Sequence, residues 1–285
     1  MTNTEIQTGI QDETIDCFLR LDRIPHIWCA GCGIGQVVSA FIRAMLQTEL
    51  DPDTVSVVSG IGCTGRAAGY VKLDSFHTTH GRALPFATGL KIANPSLNVV
   101  VISGDGDLAA IGGNHLIHAA RRNMDMTVVC INNFNYGMTG GQMGCTTPLG
   151  AFSTTTTFGN FEYPFNLPYL CLASGATYIA RWTSLHLREL EKAIAEAMLK
   201  PGFSFIEVIC PCPTVYGRMN KRPQGLDDMK LYKEKSVVCN NADPKDVEIT
   251  PDGPIVVGKF LDIQRPTFFD LRREIFDKAR QSGRL

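Results

Sequence analysis

A chain of 285 residues with 44% hydrophobic side chains can bury a large core, as one large domain or two small ones. Its 27 basic and 28 acidic side chains leave a formal charge of -1, which excludes a strong field for nucleic acid or an anionic membrane surface. No apolar run reaches the roughly eighteen residues of a membrane span, and the polar start lacks the charged-then-apolar layout of a secretion signal, so a cytoplasmic location is expected.

After a polar lead comes Trp28-Cys29-Ala30-Gly31-Cys32-Gly33, then Ile34, Val37, Val38, Phe41 and Met45 at the spacing of an amphipathic helix. Val55 to Val58 reads as a short buried strand running into the turn Ser59-Gly60-Ile61-Gly62-Cys63. A second loop ends at His80-Gly81-Arg82, ahead of a helix reaching about Ala93. Leu97 to Ser103 is the continuous apolar run of a central parallel strand, stopped by Gly104-Asp105-Gly106-Asp107. Leu108, Ile111, Leu116 and Ala119 predict a crossover helix, and Met126 to Ile131 a second central strand stopped by Asn132-Asn133.

From Phe134 to about Pro168 no period is visible, and a loop of that length is expected to face a substrate or a partner. Thr177 to Ala180 is a possible strand, Ser184 a cap for a helix carrying Leu187, Leu190, Ile194 and Met198, and Phe203 to Ile209 a further strand before Cys210-Pro211-Cys212-Pro213. The alternation predicts an α/β fold, a mostly parallel open sheet with helices on both faces and ligands at the carboxyl ends of its strands. Residues 1–225 are read as the ligand-binding domain, and 226–285 as an irregular, more polar C-terminal extension expected to make subunit contacts.

Asp105 and Asn133 end strands separated by one crossover helix. Parallel neighbours lie just under about 5 Å apart, so a carboxylate and an amide oxygen there converge on one cation. Magnesium takes such hard oxygen ligands and shares them with phosphates, and Asn135 can add a backbone carbonyl. Gly106 admits a diphosphate close to the backbone, next to the amides that open the following helix. Taken singly, Gly104-Asp105-Gly106 reads as an ordinary strand-to-helix turn and Asn132-Asn133 as an ordinary strand end; their pairing carries the reading. The dinucleotide fingerprint is absent, because the third glycine is missing after Leu108.

The ten cysteines of such a chain are read as buried, catalytic or metal-binding thiols. Cys29, Cys32, Cys63 and Cys212 all stand at element boundaries, where parallel strands can gather them at one sheet edge. Four thiolates suit zinc or an iron-sulfur cluster, and geometry alone does not separate the two. One close pair with two remote singles, in a fold with its own core, favours the redox cluster over a zinc-stabilised binding module. A redox disulfide between Cys29 and Cys32 is a rival, and Cys210 competes with Cys212 for the fourth position. Cys17, Cys130, Cys171 and Cys239 read as packed or inert thiols.

The motif that begins at Gly104-Asp105-Gly106 and ends at Asn132-Asn133 resembles that of the thiamine-diphosphate enzymes. Together with Trp28-Cys-x-Gly-Cys-Gly33, Gly60-Ile-Gly-Cys-Thr-Gly-Arg66, Phe76-His-Thr-Thr-His-Gly-Arg82, Tyr136-Gly-Met-Thr-Gly-Gly-Gln142 and Cys210-Pro-Cys-Pro-Thr214, it is similar to the beta subunit of 2-oxoacid:ferredoxin oxidoreductases, over roughly residues 25 to 225. The 136–142 stretch resembles members acting on 2-oxoglutarate more than those acting on pyruvate; pyruvate or a branched-chain 2-oxoacid, or a non-redox thiamine-dependent decarboxylase or carboligase, are the alternatives.

The resemblance implies that this chain binds thiamine diphosphate, Mg2+ and a [4Fe-4S] cluster, and works with an alpha subunit, coenzyme A and ferredoxin. It implies Cys29, Cys32, Cys63 and Cys212 on the cluster, and Asp105, Asn133 and Asn135 on magnesium. Around the cofactor it implies Ile61, Gly62, Cys63, Thr64, His80, Gly81, Arg82, Gly104, Gly106, Asp107, Gly137, Met138 and Thr139. His80 and Arg82 are the candidate catalytic side chains, to orient the substrate carboxylate or the cofactor. The carboxylate that activates the aminopyrimidine is expected on the alpha subunit. After Gln142 the stretch Met143-Gly144-Cys145 departs from the pattern, since relatives often have serine and proline before the threonines.

Overall fold

The computed structural model describes residues 13–285. Eight strands form one sheet: β1 (Val55–Ser59), β2 (Asp74–His77), β3 (Asn98–Gly104), β4 (Met126–Asn132), β7 (Tyr178–Thr183), β8 (Phe203–Ile209), β9 (Ser236–Val238) and β10 (Ile255–Asp262). Their spatial order is β2-β1-β3-β4-β8-β7-β10-β9, and a separate two-stranded hairpin joins β5 (Asn135–Tyr136) to β6 (Gln142–Met143). From β2 across to β7 every pairing is parallel; β10 then meets β7 antiparallel, with Gly258 opposite Arg181.

Strands β1, β4, β7 and β8 are buried at every position, which explains their largely apolar sequences: helices cover both faces, and the buried charges Arg181 of β7 and Glu207 of β8 pair with each other. The helices are α1 (Glu13–Asp16), α2 (Ile34–Gln47), α3 (Gly62–Gly65), α4 (Ala83–Ala93), α5 (Gly113–Arg121), α6 (Leu167–Ser174), α7 (Leu187–Leu199), α8 (Gly225–Lys235) and α9 (Phe268–Gln281). Phe41 and Met45 of α2 and Leu190 and Ile194 of α7 pack in one core with Val57, Val100 and Val129. Leu84 of α4, Leu116 of α5 and Cys171 of α6 close the other face over Val101, Val128 and Phe205. No described helix is long and apolar enough to cross a membrane.

Three local readings differ from expectation. The segment after Asp105 opens as a π-helical turn, Gly106–Ile111, whose wide ring is closed by Gly112 N–H donating to Asp107 O at 2.9 Å, before α5 begins at Gly113. Ser184 does not cap α7: its N–H donates to Ile209 O at 2.9 Å and prolongs the sheet, and His186 occupies the N-cap. The segment after residue 225, expected to be irregular, contributes two helices and two strands, with Ile255 and Val257 of β10 buried in the main core. Helix α9 opens with a capping box between Thr267 and Asp270 yet buries none of its residues, leaving Leu271, Ile275 and Phe276 exposed.

The chain leaves β1 toward β2 and leaves β3 toward β4 on the opposite side. A crevice therefore opens beyond the carboxyl ends of β1 and β3, the switch point where open α/β sheets bind ligands.

Candidate active site

Beyond those strand ends lies a cleft of about 100 Å3 lined by Ile61, Gly62, Cys63, Thr64, His80, Gly104, Asp105, Gly106, Asp107, Asn133, Asn135, Tyr136, Gly137, Met138 and Thr139. The lining residues stand at or shortly after the carboxyl ends of β1, β2, β3 and β4. The cofactor and magnesium residues expected from the sequence meet here, with two exceptions. Gly81 sits behind the wall, its N–H turned to Asp107, and Arg82 is exposed in a neighbouring cleft with His77, Thr78, Thr79, Pro85 and Phe86. Sequence reasoning passed over Tyr136, whose ring packs so close to Gly106 that a β-carbon there would sit 2.4 Å from it.

Asp105 is 2% exposed, and burial raises its carboxyl to about 6 against the hydrogen bonds that favour ionisation, from Thr146 Oγ1 to Oδ2 and from backbone amides. Opposite it, the Asn133-Phe134-Asn135 turn is shaped by Phe134 in the left-handed region at φ 65°. That conformation is held from three sides. Asn132 Oδ1 accepts from Phe134 N–H at 3.1 Å, Thr147 Oγ1 donates to Phe134 O at 2.5 Å, and Asn135 Nδ2 donates to Asn133 O at 2.9 Å. Both asparagines are buried, so an oxygen-rich pocket faces Asp105.

Asp107 ties three segments together. Its Oδ1 accepts from Ile61 N–H at 3.2 Å and Gly81 N–H at 2.8 Å and lies 2.6 Å from His80 Nδ1, while Oδ2 accepts from Ser103 Oγ at 2.8 Å. The fit leaves no room at Gly60, where a β-carbon would stand 1.8 Å from Oδ2.

The four cysteines draw together at the next edge of the site. Cys32 is raised to about 12 by burial, and Cys212, Cys63 and Cys29 add repulsion; burial also raises Cys63, again with Cys212 and Cys29 as neighbours. Trp28 Nε1 donates to Cys63 O at 2.8 Å, tying the Cys29–Cys32 turn to the end of β1. Cys212 Sγ lies 3.7 Å from Asn135 Oδ1, and a β-carbon on Gly137 would approach it to 3.2 Å, so the thiols border the oxygen pocket. Cys210 instead points into the core at 1% exposure, beside Ser184. Cys29 and Cys32 form no disulfide, and no three His, Cys, Asp or Glu side chains among the described residues stand close enough to hold one metal ion between them. Cys145 packs against Asp105, its thiol 3.9 Å from the Asp105 carbonyl.

Residues 45–208 match the family model "Thiamine pyrophosphate enzyme, C-terminal TPP binding domain". A 2-oxoglutarate synthase subunit KorB from Methanothermobacter marburgensis is 53% identical over 89% of this chain and 88% of its own length. The protein of that name from Methanocaldococcus jannaschii is 49% identical over 92% of this chain and 97% of its own length. Among solved structures, a 2-oxoglutarate:ferredoxin oxidoreductase from Magnetococcus marinus, with 2-oxoglutarate, coenzyme A and succinyl-CoA bound, is 30% identical, with a TM-score of 0.83 over 95% of this chain and 92% of that one. With a crevice at the switch point and relatives matched over nearly their full length, the chain belongs to the thiamine pyrophosphate enzymes and, within them, to the 2-oxoglutarate synthase KorB family.

Proposed function

We propose that this chain is the cofactor-binding beta subunit of a cytoplasmic 2-oxoglutarate:ferredoxin oxidoreductase. With an alpha subunit it converts 2-oxoglutarate and coenzyme A to succinyl-CoA and carbon dioxide, delivering two electrons singly to ferredoxin. The observation that carries the reading is the shared border of the two pockets: Cys212 touches Asn135 and Gly137, which also line the cleft holding Asp105.

The residues fit both groups. A buried carboxylate facing two buried asparagines is a hard-oxygen set suited to magnesium, and Gly62, with nothing within 4 Å of its β position, leaves open space beside it. Four thiols at one edge, three of them partly buried and one exposed, suit an iron-sulfur cluster that receives electrons from the site and releases them at the surface. Bound thiamine diphosphate supplies the electron sink for decarboxylation. Asp105, Asn133 and the Asn135 carbonyl hold the ion, and the backbone at Gly106 and Asp107 approaches the phosphates. Ile61, Gly62, Thr64, His80, Met138 and Thr139 frame the organic part, and residues 226–285 serve subunit contacts through the exposed face of α9.

Anaerobic purification with the alpha subunit, followed by viologen-dye reduction with coenzyme A across a panel of 2-oxoacids, tests the reading. A brown protein containing iron and acid-labile sulfide, fastest with 2-oxoglutarate, supports it. Colourless protein with one zinc, or aldehyde release without dye reduction, overturns it.

A further inference from the structure

The carboxylate of Asp107 receives more donors than any neutral hydrogen-bond role requires. Two backbone N–H groups, from Ile61 at 3.2 Å and Gly81 at 2.8 Å, already point at Oδ1, so that oxygen is an acceptor. The third group on Oδ1, His80 Nδ1 at 2.6 Å, must then bring its own hydrogen. Ser103 Oγ donates to Oδ2 at 2.8 Å and itself accepts from Gly60 N–H at 3.3 Å, so the rotation of the carboxyl group is fixed from behind. With 3% of Asp107 exposed, solvent does not compete for these contacts.

From this geometry we infer that Asp107 is a positioning residue, which keeps the proton of the neutral His80 imidazole on Nδ1 and so leaves Nε2 bare toward the cleft. The imidazole lines the cleft and packs edge-on against Tyr136, with ring centroids 6.3 Å apart, so its remaining nitrogen is available to accept from an N–H or O–H of whatever occupies the space. A neutral imidazole in water favours no such arrangement by itself; a second group sets which nitrogen carries the proton. The same carboxylate clamps the Ile61 turn to the His80 loop. One residue thus sets both the chemistry and the separation of two walls. The π-helical turn is what delivers it, because the widened ring from Asp107 to Gly112 brings the carboxylate under both loops.

The inference rests on the proposed function for its turnover readout but not for its spectroscopic one. In the full chain with 15N-labelled histidine, the His80 signal, assigned by its loss in His80→Ala, shows a protonated Nδ1 and a bare Nε2. Asp107→Ala shifts that signal toward the Nε2–H form and lowers turnover of the complex with its alpha subunit by about 100-fold, with KM changed less than about threefold. Asp107→Asn keeps a carbonyl under the two backbone donors, retains the Nδ1–H tautomer and loses about tenfold. In the His80→Ala background, Asp107→Asn then costs less than about twofold. An unchanged tautomer in Asp107→Ala overturns the inference, as does a tenfold cost of Asp107→Asn that persists without His80. The double-mutant comparison decides even where Asp107→Ala fails to fold. Absence of 2-oxoacid turnover alongside the expected tautomer shift removes the proposed function and leaves the positioning role standing.

Discussion

Replacing Glu207 by leucine tests how the strand ends that carry the site are held. Glu207 and Arg181 are each 1% exposed at the side chain, with Arg181 Nε 2.6 Å from Glu207 Oε2. The other oxygen, Oε1, accepts from Asn132 Nδ2 at 2.8 Å, and Arg181 Nη1 donates to Val247 O at 2.5 Å. The ion pair thus links β4, β8 and β7 to the segment before β10. Removing the carboxylate leaves a guanidinium in the core with one anchor lost and an amide without its acceptor. Breaking a buried pair from one side costs about 3–5 kcal/mol. At about 2 °C per kcal/mol for a chain of this size, the thermal midpoint falls by roughly 6–10 °C. Thermal unfolding of the full chain followed by circular dichroism measures that fall, and urea unfolding measures the free-energy difference itself. The Arg181→Met/Glu207→Leu double variant recovers at least half of the loss, since no uncompensated charge remains. A single variant within about 1 kcal/mol of the parent, or a double variant as unstable as the single, refutes the reasoning.

Asp105→Ala abolishes thiamine diphosphate and magnesium binding, read by calorimetric titration, while the circular dichroism and the visible absorption of the thiolate-bound group persist; normal affinity would remove the metal assignment. Cys212→Ser loses that absorption together with its iron and sulfide, whereas Cys210→Ser, altering a thiol that faces the core, keeps both. The reverse pattern exchanges the two roles. Asp270 sits below the usual carboxylate range because the Thr267 backbone and hydroxyl donate to it. A depressed folded pKa gives stabilisation that is present above the unfolded value of about 3.9 and lost as pH falls through the folded one. The protection factor of amides in the first turn of α9, which is exchange corrected for its intrinsic pH dependence, therefore falls as the pH drops below about 4, and Asp270→Asn removes that fall.

The central sheet was legible because Val55 to Val58, Val99 to Ile102 and Val128 to Ile131 must be covered on both faces, as parallel strands flanked by helices are. Strand ends carrying Gly104-Asp105-Gly106 and Asn132-Asn133 then placed the cleft. Other features depend on partners that no local pattern announces. Thr146 reaches Asp105 from a loop 41 residues away, and Tyr136 closes over Gly106 from a hairpin of two-residue strands. Asp107 read as one more cofactor contact, because its four donors come from three separate segments. Strand β10 was hidden by Gly258 and Lys259 inside a polar stretch; its place follows from an antiparallel pairing with β7 that sequence spacing does not encode. Ser184 has the chemistry of a cap, yet its backbone is claimed by Ile209.

The left-handed Phe134 has a consequence for how the molecule comes apart. Its ring packs 5.7 Å from that of Tyr216, and Cys210 N–H donates to Asn132 O at 3.0 Å, so the turn bearing two oxygen donors and the segment bearing a sulfur donor share one brace. A loosening of residues 210–217 would free Phe134 to relax toward ordinary extended backbone, and Asn133 and Asn135 would swing apart. Damage that begins among the thiols of the proposed cluster would thus reach the proposed ion pocket without any change at Asp105.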